Sequence, residues 1–354
     1  MITSWEFLSQ TDLPIIVYGM GNGADKIIDA LNERGVEISG VIASDGFVRG
    51  QSFRGHTVKT LRQTEQLYEN FVIVLAFASS LPDVMSHIIS VSERHKTLVP
   101  SVPVFGGGVF DLSFAKAHHR ELTEAYNCLS DEKSKKTYEN IVSFLLTGDL
   151  KTLISCQQEK DEAFNKILKL SKDEVYFDLG AYRGDTIEEF LHFSNNSCPP
   201  DEAFGGHIAA LEPDGKTFKK LEAFAGGFKN TVLLREGIWS DDAVLNFSGK
   251  AGRNSSLAPK GTPTEVTSID RLTERTGLIP TYIKADVEGA ELEMLNGAVN
   301  TLSQYKPKLN IALYHRTEDI FKLILKVKEI NPRYKLHIRH HPYIPFWDTN
   351  LYAV

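Results

Sequence analysis

Along the first hundred residues two hydrophobic periods alternate. "IIVYG", "ISGVIAS" and "FVIVLAFAS" are near-continuous apolar runs, while "ADKIIDALNERG" and "LPDVMSHIISVSERH" space their apolar residues at helical intervals. Apolar strands without polar alternation are covered on both faces, so the pattern predicts a small parallel Rossmann-like α/β unit over residues 1–110. Proline and glycine break the pattern in "VPSVPVFGGGVFD", which marks a boundary. Residues 111–170 are charged and helical with no strand signal, a predicted connector or lid. Ser130 is the expected N-cap there, with Ile141, Phe144 and Leu145 on one apolar face. A second α/β unit is predicted over 171–354, with strands "VYFDLG", "IAALEP", "TVLLREGIW", "TYIKADVEG" and "KLNIALYH". Its end, "YKLHIRHHPYIPFWDTNLYAV", reads as two strands about a proline-containing turn, which gives a sheet with one reversed strand.

Composition narrows what such a chain does. A length of 354 residues suits two domains, and 42% hydrophobic with 24% charged residues suits a folded chain. A formal net charge of -7 argues against a nucleic-acid partner, whose phosphates call for a basic surface. No apolar run approaches the roughly 18 residues of a membrane span, and "MITSWEFLSQTDLP" lacks the basic and apolar regions of a signal peptide. Cys128, Cys156 and Cys198 are widely spaced and odd in number, giving neither a disulfide framework nor a CxxC knuckle. The expectation is a cytoplasmic protein with a small-molecule partner, without nucleic acid or membrane, and with a homo-oligomer left open.

Two glycine-rich turns follow apolar runs and open helices. The first, Gly19-Met20-Gly21-Asn22-Gly23-Ala24, matches the dinucleotide fingerprint, and Asp45 ends the next strand where an acid takes ribose hydroxyls. The plainer reading is that these glycines let strand and helix pack closely. The second runs from Asp178 through Gly180, Ala181, Gly184 and Asp185 to Thr186. An acid before the first glycine repels a pyrophosphate and suits a cationic or hydroxylic ligand. S-adenosyl-L-methionine fits, with an ammonium on its tail and no phosphates. Glu212, followed by Pro213, ends the next strand and is placed to accept both ribose hydroxyls. Gly237, Ile238 and Trp239 then form an expected adenine-side wall, with a core or interface role the rival reading for Trp239.

Residues 174–354 resemble the FkbM family of S-adenosylmethionine-dependent methyltransferases, class I Rossmann-like enzymes, through "FDLGAYRGDT", "LEPD", "SIDRL", "YIKADVEGAELEMLNGA" and "KPKLNIALYH". "LSDEKSKKTYENIVSFLLTGD" extends the resemblance to about residue 120, and the N-terminal unit lies outside it. The resemblance implies that Asp178, Gly180, Gly184 and Glu212 bind the cofactor and that Asp286 lies beside the transferred methyl. It also implies a hydroxyl acceptor on a small molecule such as a sugar, nucleotide-sugar or polyketide.

The residues supply further chemistry. In "KADVEGAE", Asp286 and Glu288 alternate at a strand's end, and Glu291 opens the following helix, where negative charge is favourable in any case. His315 ends the next strand, and an imidazole with a near-neutral pKa suits a general base for a hydroxyl. His337, His340 and His341 fall in the terminal hairpin, for which a surface or acceptor-binding role is expected. No metal-ligand set is assigned. "SGKAGRNSSLAPKGTP" is an expected acceptor loop. Two other classes compete with the methyltransferase: an NAD-dependent oxidoreductase working through the first glycine turn, and a non-catalytic nucleotide- or cofactor-binding protein.

Overall fold

The structure, a computed structural model, describes residues 2–201, 204–248, 256–257 and 261–354. Most of the expected acceptor loop lies outside the described residues. The N-terminal sheet has four parallel strands, β1 (Ile15–Tyr18), β2 (Gly40–Ile42), β3 (Val72–Leu75) and β4 (Lys96–Leu98), in the order β2-β1-β3-β4. Helices α1 (Asn22–Asn32) and α2 (Pro82–Arg94) follow β1 and β3, each burying its apolar stripe. At the first glycine turn, a Cβ on Gly23 would lie 2.7 Å from the Ala76 carbonyl oxygen. Close packing of α1 on the end of β3 therefore accounts for glycine there.

Two short helices, Leu112–Ala117 and His119–Asn127, lead to α3 (Glu132–Thr147), which buries Ile141, Phe144 and Leu145 as its periodicity predicts. Its N-cap is Asp131 rather than Ser130. The Asp131 carboxylate accepts from the Ser134 N–H at 2.6 Å, while the Ser130 hydroxyl accepts from the Leu336 N–H. This segment is built into the core, and Lys160 and Phe164 near its end line a cavity in the second α/β unit. Leu129 and Gln157 form parallel bridges with Leu336 and His340 at the edge of the second sheet.

That second sheet has seven strands: β5 (Val175–Leu179), β6 (His207–Leu211), β7 (Thr231–Leu234), β8 (Tyr282–Ala285), β9 (Lys308–Ala312), β10 (Leu336–His340) and β11 (Thr349–Ala353). They lie in the order β10-β11-β9-β8-β5-β6-β7, and only β11 runs antiparallel to its neighbours. The reversed strand is the last, inserted between β9 and β10. Strand order turns back on itself between β5 and β8, the place where open α/β sheets hold ligands outside the strands' carboxyl ends. Helices α4 (Asp185–Phe193), α5 (Gly215–Ala225), α6 (Ile269–Thr276), α7 (Glu291–Asn296) and α8 (Asp319–Ile330) connect the strands. The predicted strand "TVLLREGIW" divides: its second part, Gly237–Ile238, leaves β7 and pairs with Thr262–Thr267 in a separate small sheet. This is the class I methyltransferase Rossmann-like fold.

One face of the N-terminal sheet shares a hydrophobic cluster with α3 and the second sheet. Ile16, Ile73 and Leu75 pack in the same body as Phe144, Ile283, Ile311 and Ile338. No described helix is long and apolar enough to cross a membrane.

Candidate active site

The site is built where three strand ends meet. Gly180 and Ala181 both donate to the Leu211 carbonyl, and Asp286 N–H donates to the Leu179 carbonyl. Gly180 has φ +82°, and a Cβ there would sit 2.1 Å from the Asp286 carbonyl oxygen. Glycine alone lets the turn after β5 and the turn after β8 lie side by side. Register then places Asp178, Lys284, Asn310 and Tyr352 in one row across four strands.

Over this edge lies a cavity of about 290 Å³. Toward β5–β7 its wall includes Gly180, Asp185, Thr186, Glu212, Pro213, Gly237 and Ile238. Lys284, Asp286, Glu288 and His315 line it past β8 and β9, and Tyr314, Tyr343, Trp347, Asp348 and Asn350 line it toward the terminal hairpin. Most of the residues expected from sequence are thus brought to one space. Four are not. Asp178 is fully buried behind the wall, where it accepts from the Thr186 hydroxyl, and its Oδ1 has no hydrogen-bond partner. Ala181 is likewise buried, and Gly184 packs beneath the Phe224 ring. Trp239 joins the small sheet through its N–H, which donates to Thr267, and is not part of the cavity wall. The change of sheet after β7 turns it away.

Electrostatics follow from burial. Desolvation pushes Glu212 up to about 7, against the Asp214 N–H that it accepts at 2.9 Å. Asp178 is pushed up to about 6 by burial, against the pull of the Lys284 ammonium. Lys284 itself is held above its ordinary value. Its own desolvation is outweighed by Asp286, Asp178, Glu189 and Asp185.

Around His315, 1% exposed, three carboxylates converge. Its Nδ1 lies 2.7 Å from Glu291 Oε1, and its Nε2 lies 3.3 Å from Asp286 Oδ1 and 3.5 Å from Glu288 Oε2. Burial alone would lower this imidazole, but Glu291 and Asp286 raise it well above its ordinary value. A free near-neutral imidazole, as expected from sequence, is therefore not what the site contains. Asp286 is held well below the usual carboxylate range despite its burial, by Lys284, His315 and Tyr314. The Tyr314 hydroxyl donates to Asp286 Oδ2 at 2.9 Å. Glu291 does more than favour a helix N-terminus: at 1% exposure it also accepts from the Val287 N–H at 3.0 Å.

The expected surface role of the terminal histidines is overturned. His340 and His341 are buried, and His341 bonds the Tyr352 hydroxyl and the Gln158 carbonyl. His337 meets Asp131. The hairpin reaches the cavity through Tyr343, Trp347 and Asp348 of its turn and through Asn350 and Tyr352 of β11. Sequence reasoning missed those residues, and it missed Lys284. The one available signal for Lys284 was its spacing of two from Asp286 on a strand, which puts both on one side.

The fold is that of class I methyltransferases. Residues 178–341 match the family model described as the methyltransferase FkbM domain. Among solved structures, methyltransferase FkbM from Methylobacillus flagellatus KT is similar at 19% identity and TM-score 0.72, covering 97% of this chain and 90% of that one. At that identity the likeness is one of fold, and it takes in the N-terminal unit, which lay outside the resemblance read from sequence. Fibrillarin from Aeropyrum pernix, solved with natively bound S-adenosyl-L-methionine, is similar at 14% identity and TM-score 0.34 over 55% of this chain and 71% of that one. A precorrin-6y C5,15-methyltransferase from Geobacter metallireducens GS-15 stands at 14% identity and TM-score 0.34, over 55% of this chain and 86% of that one. Likeness that slight assigns nothing to this chain. No curated protein matches the chain.

Proposed function

We propose that this protein transfers a methyl group from S-adenosyl-L-methionine to a hydroxyl of a small polyhydroxylated molecule, such as a sugar or nucleotide-sugar. The observation that carries the reading is the continuity of one cavity, from Glu212 past Asp286 to the Tyr314, Tyr343 and Trp347 rings. Its wall holds Asp185, Glu189, Glu212 and Glu236 against few cations, Lys160 and Lys284 among them. Such a surface suits a sulfonium and an ammonium. Buried Glu212 fits the ribose hydroxyls as an acceptor, and Ile238 supplies an apolar contact for the adenine.

When bound, the cofactor would supply an electrophilic methyl and a sulfur leaving group that keeps the electron pair of the broken C–S bond when the acceptor oxygen takes the methyl. The protein's own residues align the acceptor and take its proton. Asp286 Oδ2 and Oδ1 are already engaged by Tyr314 and His315, so Asp286 orients the hydroxyl. Glu288, partly open to the cavity, receives the proton, while the carboxylate-held imidazole of His315 fixes the positions of both. Tyr343 and Trp347, with ring centroids 6.0 Å apart, offer a flat apolar face to a sugar ring, beside polar Asp348 and Asn350.

Incubation with methyl-labelled cofactor and a panel of nucleotide-sugars and free glycosides should give a labelled methyl ether. Glu212→Ala should weaken cofactor binding by on the order of 1.5–3 kcal/mol, the scale of a lost charged hydrogen-bond pair. Cofactor affinity unchanged in that variant by calorimetry would remove the ribose assignment.

A further inference from the structure

We propose that Asp286, Glu288 and His315 form a binding site for one divalent metal ion, with Glu291 holding the imidazole in place from behind. Asp286, Glu291 and His315 each offer a ligand atom, and these atoms lie within 4.8 Å of one another. Within that group the two ring nitrogens have different neighbours. Nδ1 faces Glu291 Oε1 at 2.7 Å, the arrangement in which a carboxylate accepts the N–H and leaves the other nitrogen's lone pair free for a metal. Nε2 faces two carboxylates, Asp286 Oδ1 at 3.3 Å and Glu288 Oε2 at 3.5 Å. A ring N–H satisfies one such oxygen, whereas a cation among the three satisfies both.

A second observation points the same way. Glu291 is 1% exposed, and its Oε2 has no hydrogen-bond partner. Three carboxylates thus surround one buried ring, and with the Lys284 ammonium 3.7 Å from Asp286 Oδ2 an imidazolium still leaves one negative charge over. One nitrogen with two carboxylate oxygens is a mixed donor set. It suits manganese, iron(II) or zinc better than calcium or magnesium, which favour oxygen alone. The cavity side remains open for water or an acceptor hydroxyl, whose acidity coordination would raise, and a Glu288 bound through Oε2 would take that proton on its second oxygen. That use rests on the function proposed above; binding of the ion does not.

The test is titration of manganese(II) into the chelator-stripped full-length protein, with free metal read by electron paramagnetic resonance and zinc(II) as competitor. One manganese per chain, displaced by zinc, is expected. Glu288→Gln and His315→Ala should each weaken binding at least about tenfold, and Glu291→Gln by about 10–100-fold. Glu139→Gln, on the far helix α3, should leave it unchanged. Circular dichroism identifies variants that fail to fold. Glu288→Gln keeps the side chain's size, and with its side chain 26% exposed against 2% for His315 it disturbs folding less than His315→Ala. If neither metal binds at millimolar concentration, or if binding survives both His315→Ala and Glu288→Gln, the site does not exist. Calorimetry with S-adenosyl-L-methionine on the same samples separates the two readings: metal binding without cofactor binding supports this site and counts against the methyltransferase reading alone.

Discussion

At Glu212 the burial that shapes the ribose side of the cavity also sets a limit in pH. The carboxyl is 7% exposed and pushed up to about 7. Accepting two ribose hydroxyls requires the ionised form, so cofactor affinity should fall by about tenfold per unit as pH drops below 7. Glu212→Gln should bind more weakly at pH 8 and lose that limb between pH 7 and 6; a flat wild-type profile in calorimetry over this range would show that Glu212 does not face the ligand. Stability of the free protein runs the opposite way. With the folded pKa above the unfolded one, the native state binds more protons between 4.5 and about 7, so this group's contribution declines as pH rises through that window. Glu212 was legible from sequence because an acid at a strand's carboxyl end is a local feature. Lys284 and the role of Glu291 were not, since both depend on which residue the neighbouring strand brings alongside.

Among the elements, α3 shows how a segment without strand signal is tied into the sheet. Asp131 caps it, and the same carboxylate meets His337 and Arg339 on β10. Despite desolvation, His337, the Ser134 N–H and Arg339 bring Asp131 down to about 2. This depressed value contributes stability above the unfolded pKa of 3.8, and the contribution is lost as pH falls toward 2. Asp131→Ala should cost roughly 2–3 kcal/mol, combining a lost cap with a weakened partner for the buried Arg339. Asp131→Asn, which still caps, should cost about 1 kcal/mol less. Urea unfolding of both variants checks this: equal losses would mean that the ion pairs contribute nothing beyond the cap. Helical periodicity alone located α3 and its buried face. It left the cap one residue off and gave no hint of the docking on β10, because the pairing partner lies about 200 residues away in sequence, at His337. For the same reason the order of the last two strands, and the burial of His340 and His341, were invisible in a run that reads as an ordinary polar hairpin.

At the scale of the whole molecule the question is whether the N-terminal unit stands apart from the chemistry. A complete strand–helix pattern and a proline-rich exit set it off in the sequence as a unit of its own. In the structure that exit, rather than hanging free, crosses the active site. Lys26 of α1 donates to the Pro103 and Val104 carbonyls at 2.8 and 2.7 Å, and Val104 lines the cavity. Phe105 N–H donates to the His315 carbonyl at 2.8 Å, and Arg316 lies 4.9 Å over the Phe105 ring while donating to the Gly289 carbonyl. Ser79 and Ile344 exchange backbone hydrogen bonds, joining the end of the first sheet to the loop that carries Trp347. Removal of residues 1–105 would thus strip contacts from the segments on either side of His315 and uncover apolar residues of the shared core. The truncated chain should melt at least about 5 °C lower, the scale of one or two lost kcal/mol in a domain of that size. Its cofactor affinity should change little, because Gly180, Glu212 and Ile238 lie across the cavity from the exit segment. Acceptor turnover should fall much further than cofactor binding, since Val104 and the Trp347 loop line the opposite end. Calorimetry and single-turnover methyl transfer on the same truncated sample measure the two quantities separately. Loss of both in equal measure would place the N-terminal unit's contribution in overall folding, and retention of full turnover would leave the contacts of Val104 and Phe105 without a part in catalysis.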